Sequence, residues 1–217
     1  MIPKTAILLP VEWRSNVQFE WARHFFERVQ KPPKTMYFPT TGAPLVETRN
    51  DLVKVGLESG AEWLVFWDSD VIPGDNGLMK LHESRFAITS GLYWARKAEV
   101  TAPAAWVTVP GGMTPIVKEQ QARYVSVDKV GCGLLRVHKS VFEKIPEPWF
   151  KWTKVKGSFN PATGKYDDIP GGSSEDLYFS ARAKEYGFSI LVDMEVKCQH
   201  IGMFKIMEDG SFKPTEL

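Results

Sequence analysis

The feature that most constrains the fold is the unbroken apolar run Trp63–Trp67 (WLVFW), which ends in the acidic tripeptide Asp68-Ser69-Asp70. An apolar run without alternation is typical of a strand covered on both faces, as in a parallel sheet with helices on either side. Ligands of such sheets bind beyond the carboxyl ends of the strands. If the tripeptide stays extended, its two carboxylates point the same way and form a site. The alternative is a simple turn, because Asp and Ser favour turns and a Pro-Gly pair follows.

The residues before this run alternate between strand and helix patterns. We predict strands at 6–9 and 35–38 and helices at 16–29 and 44–57. A β-α-β-α-β order of this kind predicts a parallel sheet with helices packed on its faces. The acidic tripeptide then lies at the carboxyl edge of a central strand.

The second half of the chain carries shorter strand-like segments broken by glycine and proline, which predicts a mixed extension of the sheet. We predict strands at 86–89, 104–107, 124–127, 131–137, 189–192 and 195–199, and helices at 140–145 and 174–186. Residues 157–174 are rich in glycine, proline and small polar residues, which predicts a long loop. The predicted fold class is therefore α/β, a Rossmann-like single domain with a mixed central sheet and helices on both faces.

Composition excludes several classes of function. A chain of 217 residues with 43% hydrophobic residues fits one domain, and Lys+Arg 27 against Asp+Glu 26 gives no bulk attraction to nucleic acid or acidic membranes. The two cysteines, Cys132 and Cys198, have no zinc-binding spacing. The N-terminal apolar run is too short for a signal peptide or a membrane span. We expect a cytoplasmic protein without a membrane span.

An arginine lies on the apolar stripe of the predicted helix at 44–57. Arg49 follows Val46 and precedes Val53 and Leu57 at spacings of three and four residues, so it faces inward. A buried guanidinium needs an anion or a carbonyl group. The spacing alone leaves open whether Arg49 belongs to a binding site, forms a structural salt bridge or extends its head to solvent.

Three more candidate residues lie near the C-terminus. Glu175 and Asp176 open the predicted helix at 174–186, where acids ordinarily cap the first turn, yet Asp176 shares a face with apolar residues. Alternation places His200 on the same inward face as Val196 and Cys198. An inward histidine is more often a hydrogen-bonded core residue than a ligand, although imidazole beside carboxylates is compatible with Mn²⁺.

Four tryptophans in the second half are further candidates for ligand contact. Aromatic faces stack on the apolar side of sugar rings, although such residues more often belong to the core. These residues are Trp94, Trp106, Trp149 and Trp152.

The order of these segments resembles that of GT-A glycosyltransferases, most closely small family 2-like members with a DxD motif. The resemblance covers about residues 2–202 and rests on a first strand ending in Pro10, Thr48-Arg49-Asn50-Asp51, WLVFWDSDV, GCGLLRVHKSVFEKI, SSEDLYFSARAKEYGFSI and the late His200. It implies a nucleotide-binding half at about 1–93 and an acceptor and catalytic half at about 94–217. It also implies a nucleotide-sugar donor and Mn²⁺ or Mg²⁺.

By position, the resemblance implies roles for individual residues. Pro10, Arg49, Asp68 and Ser69 would bind the nucleotide-sugar, which is expected to be a UDP- or GDP-sugar. Asp70, Asp68 and His200 would bind the metal. Asp176, paired with Glu175, would deprotonate the acceptor hydroxyl in a transfer expected to be inverting.

Some features depart from the family pattern, and other functions remain as alternatives. The segment 37–41 lacks the acid that many relatives use to recognise the base, and a QxxRW-type segment is absent, which argues against a processive synthase. A binding module of the same fold without turnover is one alternative. A phosphohydrolase normally carries its DxD after the first strand, and a nucleotidyltransferase normally opens with a glycine-rich basic loop, so both fit less well.

Overall fold

The computed structural model describes residues 3–11, 19–40, 44–95, 102–117, 122–153, 159–160, 165–166, 174–201, 204–206, 208–209 and 212–214. Its helices are α1 (Phe19–Arg23), which continues into a π-helical turn (His24–Arg28), α2 (Leu45–Glu58), α3 (Gly77–Glu83), α4 (Lys139–Lys144) and α5 (Glu175–Glu185).

Its strands are β1 (Thr5–Pro10), β2 (Thr35–Thr40), β3 (Trp63–Trp67), β4 (Val71–Pro73), β5 (Ile88–Leu92), β6 (Trp94–Ala95), β7 (Ala102–Pro103), β8 (Ala105–Val109), β9 (Gly112–Pro115), β10 (Tyr124–Val127), β11 (Lys129–Val130), β12 (Leu134–His138), β13 (Phe159–Asn160), β14 (Lys165–Tyr166), β15 (Ile190–His200), β16 (Phe204–Ile206) and β17 (Phe212–Pro214).

One large mixed sheet organises the molecule. Within the described ranges it has ten strands, in the order β17-β16-β15-β5-β12-β3-β1-β2, with β10 and β4 pairing on β15. β1 runs parallel to both β2 and β3, which confirms the predicted parallel β-α-β-α-β unit. β12 is antiparallel to β3 and β5, so the strand that follows the GCG segment joins the two halves of the chain.

Alternate residues of β3 belong to different apolar clusters, which shows that both faces of the sheet are buried. Leu64 and Phe66 belong to one cluster, with side chains from α2, α4 and α5. Val65 and Trp67 belong to the other, with side chains from α1 and α3. The chain is thus an α/β fold with helices on both faces, as its sequence predicts.

Several element predictions need correction. The predicted helix at 16–29 is α-helical only over Phe19–Arg23 and π-helical over His24–Arg28, and residues 16–18 lie outside the described part. The two predicted strands at 189–192 and 195–199 form one strand, β15, whose pairing with β5 is irregular between Asp193 and Lys197. Strand β4 and helix α3 lie where the sequence patterns predict no element.

The predicted loop at 157–174 falls largely outside the described residues. Where the structure describes it, β13 and β14 form a short antiparallel pair.

Candidate active site

The tripeptide after β3 forms a turn. The Val71 N–H donates to the Asp68 carbonyl oxygen at 3.1 Å, so of the two conformations that the sequence allows, the turn is correct and the extended one is wrong. The turn leads the chain from β3 into β4, which pairs antiparallel with β15. The two carboxylates nevertheless interact, and the charge of Asp70 contributes to raising the pKa of Asp68. The turn at Asp68-Ser69-Asp70 therefore still keeps the two carboxylates close enough to act in one site.

Arg49 is the centre of a cluster of three carboxylates. Its Nη2 atom lies 3.1 Å from Asp68 Oδ2, and its Nε atom lies 3.6 Å from Glu175 Oε1 and 3.8 Å from Asp176 Oδ1. We call these four residues the Arg49 cluster. They come from α2, the turn after β3 and the first turn of α5, and the arginine is only 1% exposed. The inward face predicted for Arg49 is confirmed.

The Arg49 cluster carries more negative than positive charge. Burial is the main cause that raises the pKa of Asp68 to about 6, and Arg49 opposes it. Burial and the neighbouring Asp176 raise the pKa of Glu175 to about 7, again against the effect of Arg49. One guanidinium does not neutralise three carboxylates, so this cluster favours additional protons or a cation. Consistent with this, Asp68 Oδ1 and Asp176 Oδ1 are buried without a hydrogen-bond partner.

The two acids of α5 differ in accessibility. The side chain of Glu175 is 4% exposed, whereas that of Asp176 is 22% exposed. Phe179 and Ala183, on the same face as Asp176, are fully buried, as the helical spacing predicts. Ser174 precedes the helix without a side-chain capping hydrogen bond. Asp176 is therefore the acid that a ligand reaches, and Glu175 lies behind it.

His200 and Asp70 form a second pair of candidate groups. His200 Nδ1 lies 2.7 Å from the Trp94 carbonyl oxygen, which accepts its hydrogen, and Nε2 lies 3.5 Å from Asp70 Oδ2. With its hydrogen on Nδ1, a neutral imidazole presents a lone pair at Nε2 toward the carboxylate. Two acceptors that face each other in this way require a shared proton or cation.

Strand β4 is what brings these two residues together. It pairs antiparallel with β15, placing Val71 opposite His200, and the Ile201 N–H donates to the Asp70 carbonyl oxygen at 2.7 Å. The short sequence Val71–Pro73 carries no strong strand pattern, so its pairing partner is not evident from the sequence. The inward face predicted for His200 is correct, and its approach to Asp70 is a result of the fold.

The predicted metal ligands fit a divalent cation that also binds a ligand's phosphates. In the parts of the chain that the structure describes, no three His, Cys, Asp or Glu side chains are arranged to hold a metal by themselves. Mg²⁺ commonly uses one or two carboxylates together with substrate phosphates. The 3.5 Å between His200 Nε2 and Asp70 Oδ2 is close to the roughly 3 Å that separates neighbouring ligands of one such ion. The unpartnered Asp68 Oδ1 offers a third ligand atom, beside one nitrogen and one oxygen.

Pro10 and Ser69 lie at the same edge of the sheet as these groups. Leu8 pairs with Phe66 across β1 and β3, so Pro10 and Asp68 both lie two residues beyond that pair. Pro10 is buried, and Ser69 is half-buried within the turn. The sheet therefore brings Pro10 into line with the acidic turn, where the sequence predicts the nucleotide-sugar to bind.

Tyr93 is a buried residue of this region that sequence patterns do not identify. Its hydroxyl accepts the Gly133 N–H at 2.9 Å, and the Gly133 carbonyl accepts the Asp68 N–H at 3.0 Å. A Cβ atom at Gly131 would lie 2.1 Å from the Tyr93 hydroxyl. The glycines of the GCG segment are thus needed because the Tyr93 ring lies against their backbone. In the sequence, this contact is signalled by the pair of glycines around Cys132.

The four candidate tryptophans have different environments. Trp94 and Trp149 are buried, Trp106 is half-buried and Trp152 is 56% exposed. The Trp149 indole N–H donates to the carbonyl oxygens of Phe142 and Ile145, as expected of a core residue. Trp152 is the member of this set with most of its ring free to contact a ligand.

Comparison with known proteins supports the architecture. No protein-family model and no curated protein matches the sequence. Among solved structures, the crystal structure of A197 from STIV is similar over 98% of this chain and 94% of that chain, with a TM-score of 0.69 and 16% sequence identity. At this identity the similarity is one of fold. No helix in the described ranges is long and apolar enough to cross a membrane.

Proposed function

We propose that the chain is a metal-dependent glycosyltransferase of the GT-A type, which moves a sugar from a nucleotide-diphosphate sugar to an acceptor hydroxyl with inversion. The observation that carries the proposal is the meeting of the Arg49 cluster with the Asp70–His200 pair at the carboxyl edge of β3. These residues come from segments far apart in the sequence. A structural salt bridge alone does not call for so many carboxylates around one arginine.

The acids have separate tasks in this proposal. Asp176, the more accessible acid of α5, accepts the proton of the acceptor hydroxyl as that oxygen attacks the anomeric carbon. Arg49 and Glu175 are positioning residues, because both are buried and hold Asp176 and Asp68 in place. This modifies the expectation that Arg49 contacts the nucleotide directly and that Glu175 is itself catalytic.

The donor end of the site uses the residues after β3. Asp70, His200 and Asp68 would hold Mn²⁺ or Mg²⁺, and the main chain at Pro10 and Ser69 would border the nucleotide. The cation, when bound, stabilises the negative charge of the departing diphosphate. His200 is oriented for this task by its hydrogen bond to the Trp94 carbonyl, which in the neutral Nδ1–H tautomer directs the Nε2 lone pair toward the cation.

The first experiment is calorimetric titration of UDP and GDP in the presence of Mn²⁺ and then of EDTA. We expect one of the two nucleotides to bind only with the metal, and Asp70→Ala to abolish that binding while the protein stays folded. Asp51→Ala is a matched control, because Asp51 is an exposed aspartate on α2. Binding that is unchanged in Asp70→Ala, or absent for every nucleotide diphosphate tested, would contradict the proposal.

A binding module without turnover is distinguished by a second substitution. Asp176→Asn keeps the shape of the side chain but removes the base. We expect it to reduce turnover, measured as nucleotide release from the donor in the presence of an acceptor, by 10²-fold or more, on the order of a general-base contribution. The Kd for the nucleotide should change little. A wild-type protein that binds the nucleotide but never releases it from a donor would be a binding module.

A further inference from the structure

A small cavity lies between the sheet and α3, on the face of β3 that carries Val65. It is bordered by strands β1, β3 and β12 and by apolar side chains of α3, and its volume is about 10 Å³. That volume accommodates one particle of about the size of a water molecule. The cavity is separate from the Arg49 cluster, since α2 packs on the opposite face of the sheet.

Three residues that line this cavity each have a buried polar atom without a hydrogen-bond partner. They are Thr5 with Oγ1, His82 with Nδ1 and Arg136 with Nε. Each of these atoms is able to donate a hydrogen bond. Burial and the nearby Arg136 lower the pKa of His82, so its imidazole is neutral near pH 7. Buried donors without acceptors are rare in folded proteins, and several around one cavity indicate a bound species.

The charge of Arg136 indicates what that species is. Arg136 is 2% exposed, donates from Nη1 to the Ser84 carbonyl oxygen at 3.1 Å and stacks on the ring of Trp63 at 3.2 Å. No carboxylate in the described part of the chain pairs with it. A buried positive charge without a counter-charge is costly. Even with its pKa lowered by burial to about 9, Arg136 is charged at neutral pH.

We propose that this cavity binds one small monovalent anion such as chloride, which is only slightly larger than a water molecule, held by Arg136, Thr5 and His82. A water molecule satisfies the three donors only in part and leaves the charge of Arg136 uncompensated. An anion accepts from all three donors and neutralises the guanidinium. The site joins β1, β12 and α3, so occupancy stabilises the packing of α3 on the sheet.

Thermal unfolding in two sodium salts tests this proposal. The protein is measured in sodium chloride and in sodium gluconate at equal ionic strength, because gluconate is too large for the cavity. We expect Tm to be higher in chloride by roughly 3–6 °C when chloride is tenfold above its Kd. Arg136→Met, which keeps the length of the side chain without its charge, should have the same Tm in both salts. Equal Tm values for the wild type in both salts would overturn the proposal.

A second measurement uses the wild type and does not depend on whether Arg136→Met folds. A crystal grown in sodium bromide is measured at the bromine absorption edge. We expect an anomalous peak inside the cavity, within hydrogen-bond reach of Thr5 and Arg136. Ordinary water density without an anomalous peak would overturn the anion assignment. Thr5→Val, which removes one donor at constant volume, should reduce the chloride-specific shift in Tm without removing it.

Discussion

Glu175 is a buried acid whose pKa depends on both its burial and the charges around it. Its carboxyl group is buried behind Asp176 and lies 3.6 Å from Arg49 Nε. Burial raises its pKa from 4.5 to about 7. The folded protein therefore holds a proton on Glu175 that the unfolded chain releases between about pH 4.5 and pH 7. Because the folded state binds more protons in that interval, the free energy of unfolding decreases as the pH rises through it.

We predict that Glu175→Gln makes the free energy of unfolding depend less on pH. The amide cannot lose a proton, so the fall in the free energy of unfolding between pH 5 and pH 8 should be smaller in the variant than in the wild type. Urea unfolding at several pH values measures it. Buried histidines such as His24 have lowered pKa values and act in the opposite direction, but equally in both proteins. Glu185→Gln, at an exposed position, should follow the wild type. If the free energy of unfolding changed with pH by the same amount in Glu175→Gln and in the wild type, this account would be contradicted.

Gly131 is a position with no room for even one side-chain atom. A Cβ atom there would lie 2.1 Å from the hydroxyl oxygen of Tyr93. We predict that Gly131→Ala lowers the free energy of unfolding by about 1–3 kcal/mol, the usual cost of overpacking. In a Tyr93→Phe background, where the oxygen is absent, the same change should cost less. A double-mutant cycle by urea unfolding measures the difference.

A matched control for this prediction is Gly74→Ala. A Cβ atom at Gly74 meets no atom within 4 Å, so the substitution should change stability by less than about 0.5 kcal/mol. Equal costs of Gly131→Ala in the two backgrounds would show that Tyr93 does not limit the space at Gly131.

At the scale of elements, α5 holds the acids in place through its apolar face. Phe179 is fully buried and stacks on Phe150 at 5.0 Å and on Phe142 at 5.6 Å between ring centroids. One turn before it, Asp176 lies 3.8 Å from Arg49 Nε, within the Arg49 cluster. The packing of one ring thus determines both the stability of the helix and the position of the proposed base.

We predict that Phe179→Ala lowers the free energy of unfolding by about 3–5 kcal/mol, because it creates a cavity among stacked rings. Urea unfolding measures the loss. Phe26→Ala, at a position 77% exposed, is the control and should have almost no effect. Under conditions where Phe179→Ala is still folded, we also expect weaker turnover, since α5 is no longer fixed. A loss no larger than that of the control would mean that α5 is not anchored by this residue.

At the scale of the whole molecule, the two halves of the chain share one sheet. β12, from the second half, pairs with β3 on one side and with β5 on the other. Phe66 of β3 contacts Phe142 and Phe150 of the second half. The proposed nucleotide-binding half at about 1–93 therefore lacks part of its own core when taken alone.

We predict that a fragment of residues 1–93 does not fold by itself. The loss of β12 exposes one edge of β3, and the loss of its aromatic partners exposes Phe66. Circular dichroism and urea unfolding of the fragment should show no cooperative transition. The complete chain should unfold with coincident near-UV and far-UV signals. A cooperative transition in the fragment would show that the halves are independent domains.

The sequence by itself determined the elements with strong periodicity. The buried run of β3, the inward stripe of α2 with Arg49 and the inward face of His200 follow from local patterns, because burial on one face leaves a period in the residues. Those patterns predicted the α/β architecture and the inward faces of Arg49, Asp176 and His200, whereas Pro10 and Ser69 became candidates only through the family resemblance. They left open whether Asp68-Ser69-Asp70 is extended or forms a turn, since Asp and Ser are compatible with both conformations.

Only the tertiary structure decided which candidate residues meet. The approach of His200 to Asp70 depends on the pairing of β4 with β15, and a three-residue strand has too little pattern to specify a partner. The contacts of Arg49 with Asp68 and Glu175 depend on how α2 and α5 pack on the sheet. Long-range pairing is decided by the packing of the whole core, whose free energy is shared among many residues, so no local segment of the sequence encodes it.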